Sequence, residues 1–108
     1  MENEQSIFVE YFGNSPYVKV LDFLIDNQMF DYKKEEIMHN NEIKRKTFNK
    51  IWEKLLKKEI IIQTRTIGNA KLFKLNKKNP FVEKLIKFDW ELTKMETAKL
   101  INPKFIRA

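Results

Sequence analysis

The sequence predicts one mainly helical α+β domain in which a small β-hairpin accompanies several helices. Three observations support this class. Residues 44–58 repeat apolar side chains at helical spacing, and residues 60–67 form a largely β-branched run that ends at Gly68-Asn69. The 108-residue chain also contains only 2 Gly and 3 Pro, which leaves few positions that would interrupt regular elements.

The composition argues against several classes of protein. A hydrophobic fraction of 43% is too high for a disordered chain, and no stretch approaches the roughly 18 apolar residues of a membrane span. The chain has no Cys, which excludes disulfides and thiolate metal sites. Residues 1–5 do not resemble a signal peptide. We therefore expect a cytoplasmic protein with no membrane partner.

Residues 1–13 are expected to form an N-terminal arm or a short strand, because residues 7–12 are β-branched and aromatic. Ser15 suits a helix N-cap, and Pro16 suits the first helical position. The helix that follows should end near Asn27. Its expected buried face consists of Tyr17, Val20, Leu21, Leu24 and Ile25.

Residues 28–32 are expected to connect this helix to a short one at residues 33–39. We expect Met29 and Phe30 to fill the core and Asp31 to cap the short helix. Asn40-Asn41 would then make a turn, because Asn tolerates the left-handed backbone conformation.

The helix predicted at residues 44–58 has one apolar face and one basic face. The apolar stripe consists of Phe48, Ile51, Trp52, Leu55 and Leu56. The opposite side carries Lys46, Asn49, Lys50, Glu53, Lys54 and Lys57. Two helices joined by a turn of about three or four residues, the second one basic, form the helix-turn-helix pattern. Taken alone, a Lys-rich helix face is more often simply a solvated surface.

The β-branched run and its return predict a hairpin. Residues 60–67 would form one strand, Gly68-Asn69 a two-residue turn and residues 70–76 the second strand. An isolated hairpin is marginal in water, so it should pack against the helices. Its tip, residues 65–71, would be a wing beside the basic helix.

A last helix is predicted at residues 79–98, with Asn79 as its cap and Pro80 at its first position. It carries more apolar surface than one edge helix needs, so we expect a homodimer interface. The expected dimerisation residues are Phe81, Leu85, Phe88, Leu92 and Met95. The alternative is that this helix folds back on its own core. The tail, residues 99–108, is apolar but broken by Pro103, and its role is left open.

Positive charge is concentrated in the middle of the chain. Residues 33–78 hold fourteen Lys and Arg against five Asp and Glu, whereas residues 1–32 hold one Lys and six acidic residues. Such a distribution is the electrostatic pattern expected of a surface that binds a polyanion.

Several segments, in this order, resemble small archaeal winged-helix transcriptional regulators, members of the broad superfamily that includes MarR-like and ArsR-like repressors. They are Asn14-Ser15-Pro16, Val20-Leu21-Asp22-Phe23-Leu24, Phe30-Asp31-Tyr32, Glu36-Ile37, Ile43-Lys44-Arg45-Lys46-Thr47, Ile51-Trp52-Glu53-Lys54-Leu55, Thr64-Arg65-Thr66-Ile67-Gly68-Asn69-Ala70-Lys71-Leu72-Phe73-Lys74-Leu75-Asn76 and Asn79-Pro80-Phe81-Val82. The resemblance covers about residues 14–95. It implies a winged helix-turn-helix domain at residues 14–78, a C-terminal dimerisation helix and DNA binding as a dimer.

Two positions depart from the pattern of these regulators. The usual Gly of the turn is Asn40 or Asn41 here, and Glu59 stands where Gly often ends the recognition helix, each at a slight backbone cost. Metal sensing of the ArsR type is not expected, because the chain has no Cys and His39 alone cannot make a site.

The function we expect is that of a dimeric, sequence-specific regulator of transcription, most simply a repressor, that binds double-stranded DNA. Helix 44–58 would enter the major groove, with two such helices about 34 Å apart on a pseudo-palindromic site. Its expected DNA contacts are Lys44, Arg45, Lys46, Thr47, Asn49, Lys50 and Lys54. The expected wing contacts are Arg65, Asn69 and Lys71.

Two alternatives stay open. One is a protein that binds DNA without sequence preference, in an architectural or plasmid-partition role, since Lys dominates the basic face. The other is a winged-helix protein-interaction module, although Lys is depleted in protein interfaces. No catalytic constellation or Gly-rich phosphate loop is visible, so we expect no enzyme, no cofactor and no bound metal.

Overall fold

A computed structural model describes residues 5–101 of the chain. In this range it contains five helices and one three-stranded antiparallel sheet, which confirms the α+β class. The elements are α1 (Ile7–Phe12), α2 (Pro16–Asp26), β1 (Tyr32–Lys33), α3 (Lys34–Asn40), α4 (Arg45–Lys57), β2 (Ile61–Ile67), β3 (Ala70–Leu75) and α5 (Pro80–Ile101). Of the predicted tail, residues 99–101 complete α5 and residues 102–108 lie outside the described range.

The N-terminal segment is a helix, so the expectation of an extended arm or strand at residues 7–12 is wrong. Ser6 caps α1, because its hydroxyl oxygen accepts a hydrogen bond from the Val9 amide at 3.1 Å. Phe8 and Val9 are buried, and α1 packs against α2 and α5. Burial of one helical face and a good cap therefore outweigh the β propensity of these residues.

Helix α2 forms as predicted, with Ser15 as its N-cap and Pro16 at its first position. Its buried residues are Val20, Leu21, Leu24 and Ile25. The segment that follows differs from the prediction. Met29 and Phe30 do not fill the core but are 72% and 63% exposed, because the chain leaves α2 in a surface turn.

The two-residue strand β1 was not predicted, and it places a third strand in the sheet. The strand order is β1-β3-β2, and Tyr32 pairs with Phe73. Asp31 does not cap α3. The Lys33 amide instead donates a hydrogen bond to the Glu36 carboxylate at 2.8 Å, while Asp31 turns toward β2.

The turn between α3 and α4 uses Glu42, not Asn40 or Asn41, as its left-handed residue, with φ of 54°. Asn40 is the last residue of α3, and the Asn41 side chain donates to the Ile37 carbonyl at 2.8 Å. Ile43 is buried against the core after the turn. The chain thus reverses through one strained residue, stabilised by an Asn cap.

The buried side of α4 consists of Phe48, Ile51, Trp52 and Leu55. Leu56 was expected in this stripe but is 42% exposed, because it lies at the flank of the helix. Trp52 stacks on Phe48 with ring centroids 5.5 Å apart and meets the edge of Phe73 on β3 at 4.9 Å. These aromatic contacts fix the orientation of α4 relative to the sheet.

The C-terminus of α4 is closed by a residue other than glycine in the left-handed conformation. Glu59 has φ of 57°. The Ile60 amide donates to the Leu55 carbonyl at 2.9 Å and the Glu59 amide to the Leu56 carbonyl at 3.0 Å, which is the Schellman pattern. Asn79 adds side-chain hydrogen bonds to the Lys58 and Glu59 carbonyls.

The hairpin forms as predicted, with β2 and β3 joined at Gly68-Asn69 and Gly68 at φ of 61°. Its register shifts between Gln63 and Arg65, so Thr64 is an extra residue in β2. Helix α5 also begins as predicted, because the Asn79 side chain accepts a hydrogen bond from the Phe81 amide at 2.8 Å.

We predict that Glu59→Gly stabilises the chain. A left-handed residue with a Cβ costs about 1–2 kcal/mol, and the greater freedom of glycine in the unfolded state cancels only part of the relief. The net increase in the free energy of unfolding should be roughly 0.5–1 kcal/mol, measured by urea denaturation. Glu59→Ala is the matched control, and an equal increase there would contradict the backbone explanation.

Candidate nucleic-acid interface

The outward side of α4 is a row of exposed ammonium groups. We call Lys46, Lys50 and Lys57 the lysine face; they lie opposite the buried side of α4, together with Glu53. Within the described part of the chain, none of these three lysines forms an ion pair. Three neighbouring unpaired cations on one exposed helix can bind an anion such as a phosphate.

Lys54 lies at the flank of α4 and faces α2. Its ammonium nitrogen is 4.9 Å from the centre of the Tyr17 ring, a cation–π distance. Burial raises the pKa of Tyr17. Lys54 is still exposed, but it belongs to the edge of the basic surface and not to its centre.

The start of α4 contains Arg45, whose guanidinium is already engaged. It donates to both carboxylate oxygens of Glu35 on α3, at 2.7 and 3.0 Å. This pairing lowers the pKa of Glu35 and raises the pKa of Arg45. Lys44 precedes the helix as its N-cap residue, and Thr47 is exposed in its first turn. A DNA contact by Arg45 must therefore compete with an internal carboxylate.

Asn49 differs from its expected role as a base-reading residue. Its side chain is half-buried, and its amide oxygen is buried with no hydrogen-bond partner among residues 5–100. A paired hydrogen bond to adenine needs both amide atoms at the surface. In this conformation Asn49 does not offer both.

The β2–β3 turn, which was predicted from the sequence to be a wing, and the start of α3 line one open cleft, which we call the wing cleft. Its lining residues are Lys33, Lys34, Glu35, Asn69, Ala70, Lys71 and Phe73. Sequence reasoning assigned Asn69 and Lys71 to the wing but missed Lys33 and Lys34. The Lys33-Lys34 pair was visible in the sequence, but its position beside the wing depends on the unpredicted pairing of Lys33 with Leu72.

Arg65, the other predicted wing cation, is held by Asp31. Its Nε and Nη2 atoms donate to the two Asp31 carboxylate oxygens at 3.0 and 3.2 Å. The Thr64 hydroxyl also donates to Asp31, at 2.5 Å. The Arg65 and Thr64 hydrogen bonds lower the pKa of Asp31 to about 2. This cluster attaches the part of β2 nearer the hairpin turn to the segment before β1.

The five expected dimerisation residues of α5 do not share one environment. Leu92 is only 5% exposed and offers no surface to a partner, and Leu85 is half-buried against the core. Phe81, Phe88 and Met95 are the three that stay substantially exposed. The five residues predicted for dimerisation therefore belong to two different sides of α5, one packed on the core and one exposed.

We predict that Asp31→Asn reduces the acid sensitivity of folding. Because its pKa is lowered in the folded chain, Asp31 stabilises the fold fully above its unfolded pKa of about 3.9. That stabilisation is lost as the pH falls toward the folded pKa of about 2. Urea midpoints measured from about pH 5 to about pH 2 should therefore decline less steeply in the variant.

The matched control for this variant is Glu83→Gln. Glu83 is an exposed carboxylate on α5 that makes no ion pair within residues 5–100. This replacement should change the pH dependence of the urea midpoint less than Asp31→Asn does. If the urea midpoint declines equally with falling pH in the wild-type chain and in Asp31→Asn, the Asp31–Arg65 ion pair contributes nothing to stability.

In the part of the chain that the structure describes, no helix has both the length and the apolar character needed to cross a membrane. Comparison with known proteins gives no match, since no family model, no curated protein and no solved structure is similar to this chain.

Proposed function

We propose that the chain binds double-stranded DNA as a winged helix-turn-helix domain, with α3 and α4 as the helix-turn-helix and the β2–β3 hairpin as the wing. The observation that carries this proposal is the lysine face of α4, which is exposed and unpaired within the described residues. The order of elements from α2 to β3 and the sheet order β1-β3-β2 support it.

In this mechanism α4 lies in the major groove, which is about 12 Å wide and admits a helix of about 10–12 Å. Lys46, Lys50 and Lys57 contact phosphates or base edges, and each neutralised phosphate releases counterions. Lys71 and the Lys33-Lys34 pair bring a second group of cations to the wing cleft. Lys44 is the N-cap residue of α4 and Thr47 lies in its first turn, so both can add phosphate contacts.

The regulatory form of this proposal is a dimer whose two α4 helices bind successive major grooves of a pseudo-palindromic site. Occupation of a promoter by such a dimer would repress transcription. Support for it comes from the exposed apolar residues of α5, which leave surface for a second copy of the chain.

A second candidate is DNA binding without sequence preference, and two observations favour it. Arg45 and Arg65 are both occupied by carboxylates, and the Asn49 amide oxygen is buried. The side chains best suited to bidentate reading of bases are thus withdrawn, while the lysines of the lysine face, which bind phosphates as point charges, remain free within the described range.

We predict that replacing lysine-face residues weakens DNA binding and its salt dependence. Lys46→Gln, Lys50→Gln and Lys57→Gln should each reduce the slope of log K against log salt concentration, by about 0.9 for every phosphate that the variant no longer neutralises. Fluorescence anisotropy with labelled duplex DNA measures both quantities. Lys87→Gln, which replaces an exposed lysine on α5, is the matched control and should leave the slope unchanged.

The same titrations separate the two candidates. Tighter binding to DNA from upstream of the chain's own gene than to scrambled DNA, persisting as salt rises, supports a specific regulator. Equal affinity for both supports an architectural or partition role. Absence of salt-dependent binding to either DNA would refute the proposed function.

We also predict that Glu35→Gln increases DNA affinity, by roughly threefold at low salt, because it removes a negative charge and frees Arg45. The measurement is the same anisotropy titration. In an Arg45→Gln background the increase should shrink, since no guanidinium remains to be freed. A fall in affinity in Glu35→Gln would mean that Glu35 positions Arg45 for DNA and does not compete with it.

A further inference from the structure

Helix α5 has a buried side and, next to it, an exposed apolar flank. Val82 and Leu92 are buried, and Leu85 and Ile86 pack partly against the core. Phe81, Phe88 and Met95 are 49%, 46% and 44% exposed. These three are spaced by seven residues, or about two helical turns, so they lie in one line along the helix. We call this line the outer stripe.

Two exposed residues of opposite charge lie beside the outer stripe, both on the same side of it. Lys84 follows Phe81 by three residues, and Glu91 follows Phe88 by three residues. Within residues 5–100 neither forms an ion pair. The order Phe81, Lys84, Phe88, Glu91, Met95 is therefore apolar at its centre and both ends, with a cation on one side of Phe88 and an anion on the other.

We propose that a second copy of the chain covers the outer stripe, with the two α5 helices antiparallel and a two-fold axis at Phe88. In this register Phe88 meets its counterpart and Phe81 meets Met95. Lys84, four residues before Phe88, comes within one residue (about 1.5 Å along the axis) of the level of Glu91, three residues after it, and this contact occurs twice. This inference names the partner surface for the dimeric form of the proposed function and rests on it only for its biological role. A two-fold contact requires such a self-complementary surface.

Charge selects the antiparallel arrangement. A parallel pair in register would place Lys84 beside Lys84 and Glu91 beside Glu91, which is repulsive, whereas the antiparallel pair converts both contacts into attraction. The seven-residue spacing of Phe81, Phe88 and Met95 also keeps these three apolar side chains along one line of contact between two helices.

Helix α1 extends the proposed interface. The Phe12 ring lies 5.9 Å from the Phe88 ring, and Phe12 and Tyr11 are about half exposed. The Tyr11 hydroxyl donates a hydrogen bond to Glu96, which holds α1 beside the stripe. This added surface matters because a stable dimer usually buries well over about 1,000 Å² in total. Trp90, by contrast, lies on another side of α5, near Lys94, and takes no part.

Because the chain contains no Cys, single introduced cysteines report the register without background. Phe88→Cys should form a disulfide-linked dimer under mild oxidation. Lys84→Cys and Glu91→Cys should each stay largely uncrosslinked alone but link when mixed, since only that pairing brings two Cα atoms within about 7 Å. Self-linking by both variants alone, or no linking in the mixture, would overturn the antiparallel register.

Charge reversal tests the same contacts without cysteine. Lys84→Glu should raise the dimer dissociation constant about tenfold, because two symmetry-related pairs become repulsive. Lys84→Glu with Glu91→Lys should restore it, while Lys87→Glu serves as the matched control. Analytical ultracentrifugation measures the constant. The dissociation constants of most specific complexes lie well below about 100 µM. A wild-type chain that stays monomeric at that concentration would overturn the proposal.

Failure of this proposal is distinguishable from failure of DNA binding. The Lys84→Glu variant should still bind a single half-site with the salt dependence set by the lysine face. Loss of dimerisation with retained half-site binding separates the two surfaces. Dimerisation without any DNA binding would leave the outer stripe intact as an interface and refute only the nucleic-acid function.

Discussion

The contact between Trp52 and Phe73 fixes the position of the β2–β3 hairpin relative to the lysine face of α4. Trp52 belongs to α4 and Phe73 to β3, and their rings meet edge to face at 4.9 Å. Phe48 stacks on Trp52 and is itself fully buried. The lysine face points outward because these rings point inward. The hairpin stands beside α4 because the central strand of the sheet is packed against the Trp52 ring.

The local features of the fold were readable from the sequence, whereas the long-range ones were not. Ser15, Pro16 and Gly68 act within a few residues of their own position, and so does the Asn79 oxygen that caps α5; the elements that they start or join were predicted correctly. The hydrogen bonds from Asn79 to the Lys58 and Glu59 carbonyls are long-range and were not predicted. Strand β1 has only two residues and exists because a distant strand pairs with it. A two-residue strand is too short to show a periodic pattern in the sequence. Because β1 was not predicted, the position of Lys33 and Lys34 beside the β2–β3 turn was not predicted either.

The same distinction applies to the candidate interface. Helical spacing identified the lysines on the outer side of α4, because that property follows from one turn length. It could not identify which cations are free. Glu35 and Asp31 reach Arg45 and Arg65 from other elements, and only the tertiary structure shows that the two arginines are paired. On α5, likewise, the spacing showed an apolar surface, but the packing of α1 and the core decides that Leu92 is inside and Phe88 at the edge.

The pairing of Tyr32 with Phe73 also has a consequence for the order in which the chain folds. It closes a loop that contains α3, α4 and β2, and the chain must lose the entropy of that closure before the pairing can stabilise it. Helices α3 and α4 depend on local contacts and form on a faster timescale. We therefore expect the three-stranded sheet to be completed late, after α4 presents the aromatic surface on which the hairpin settles. Strand β1, with only two paired residues, would then be the part of the sheet whose opening requires the least unfolding elsewhere.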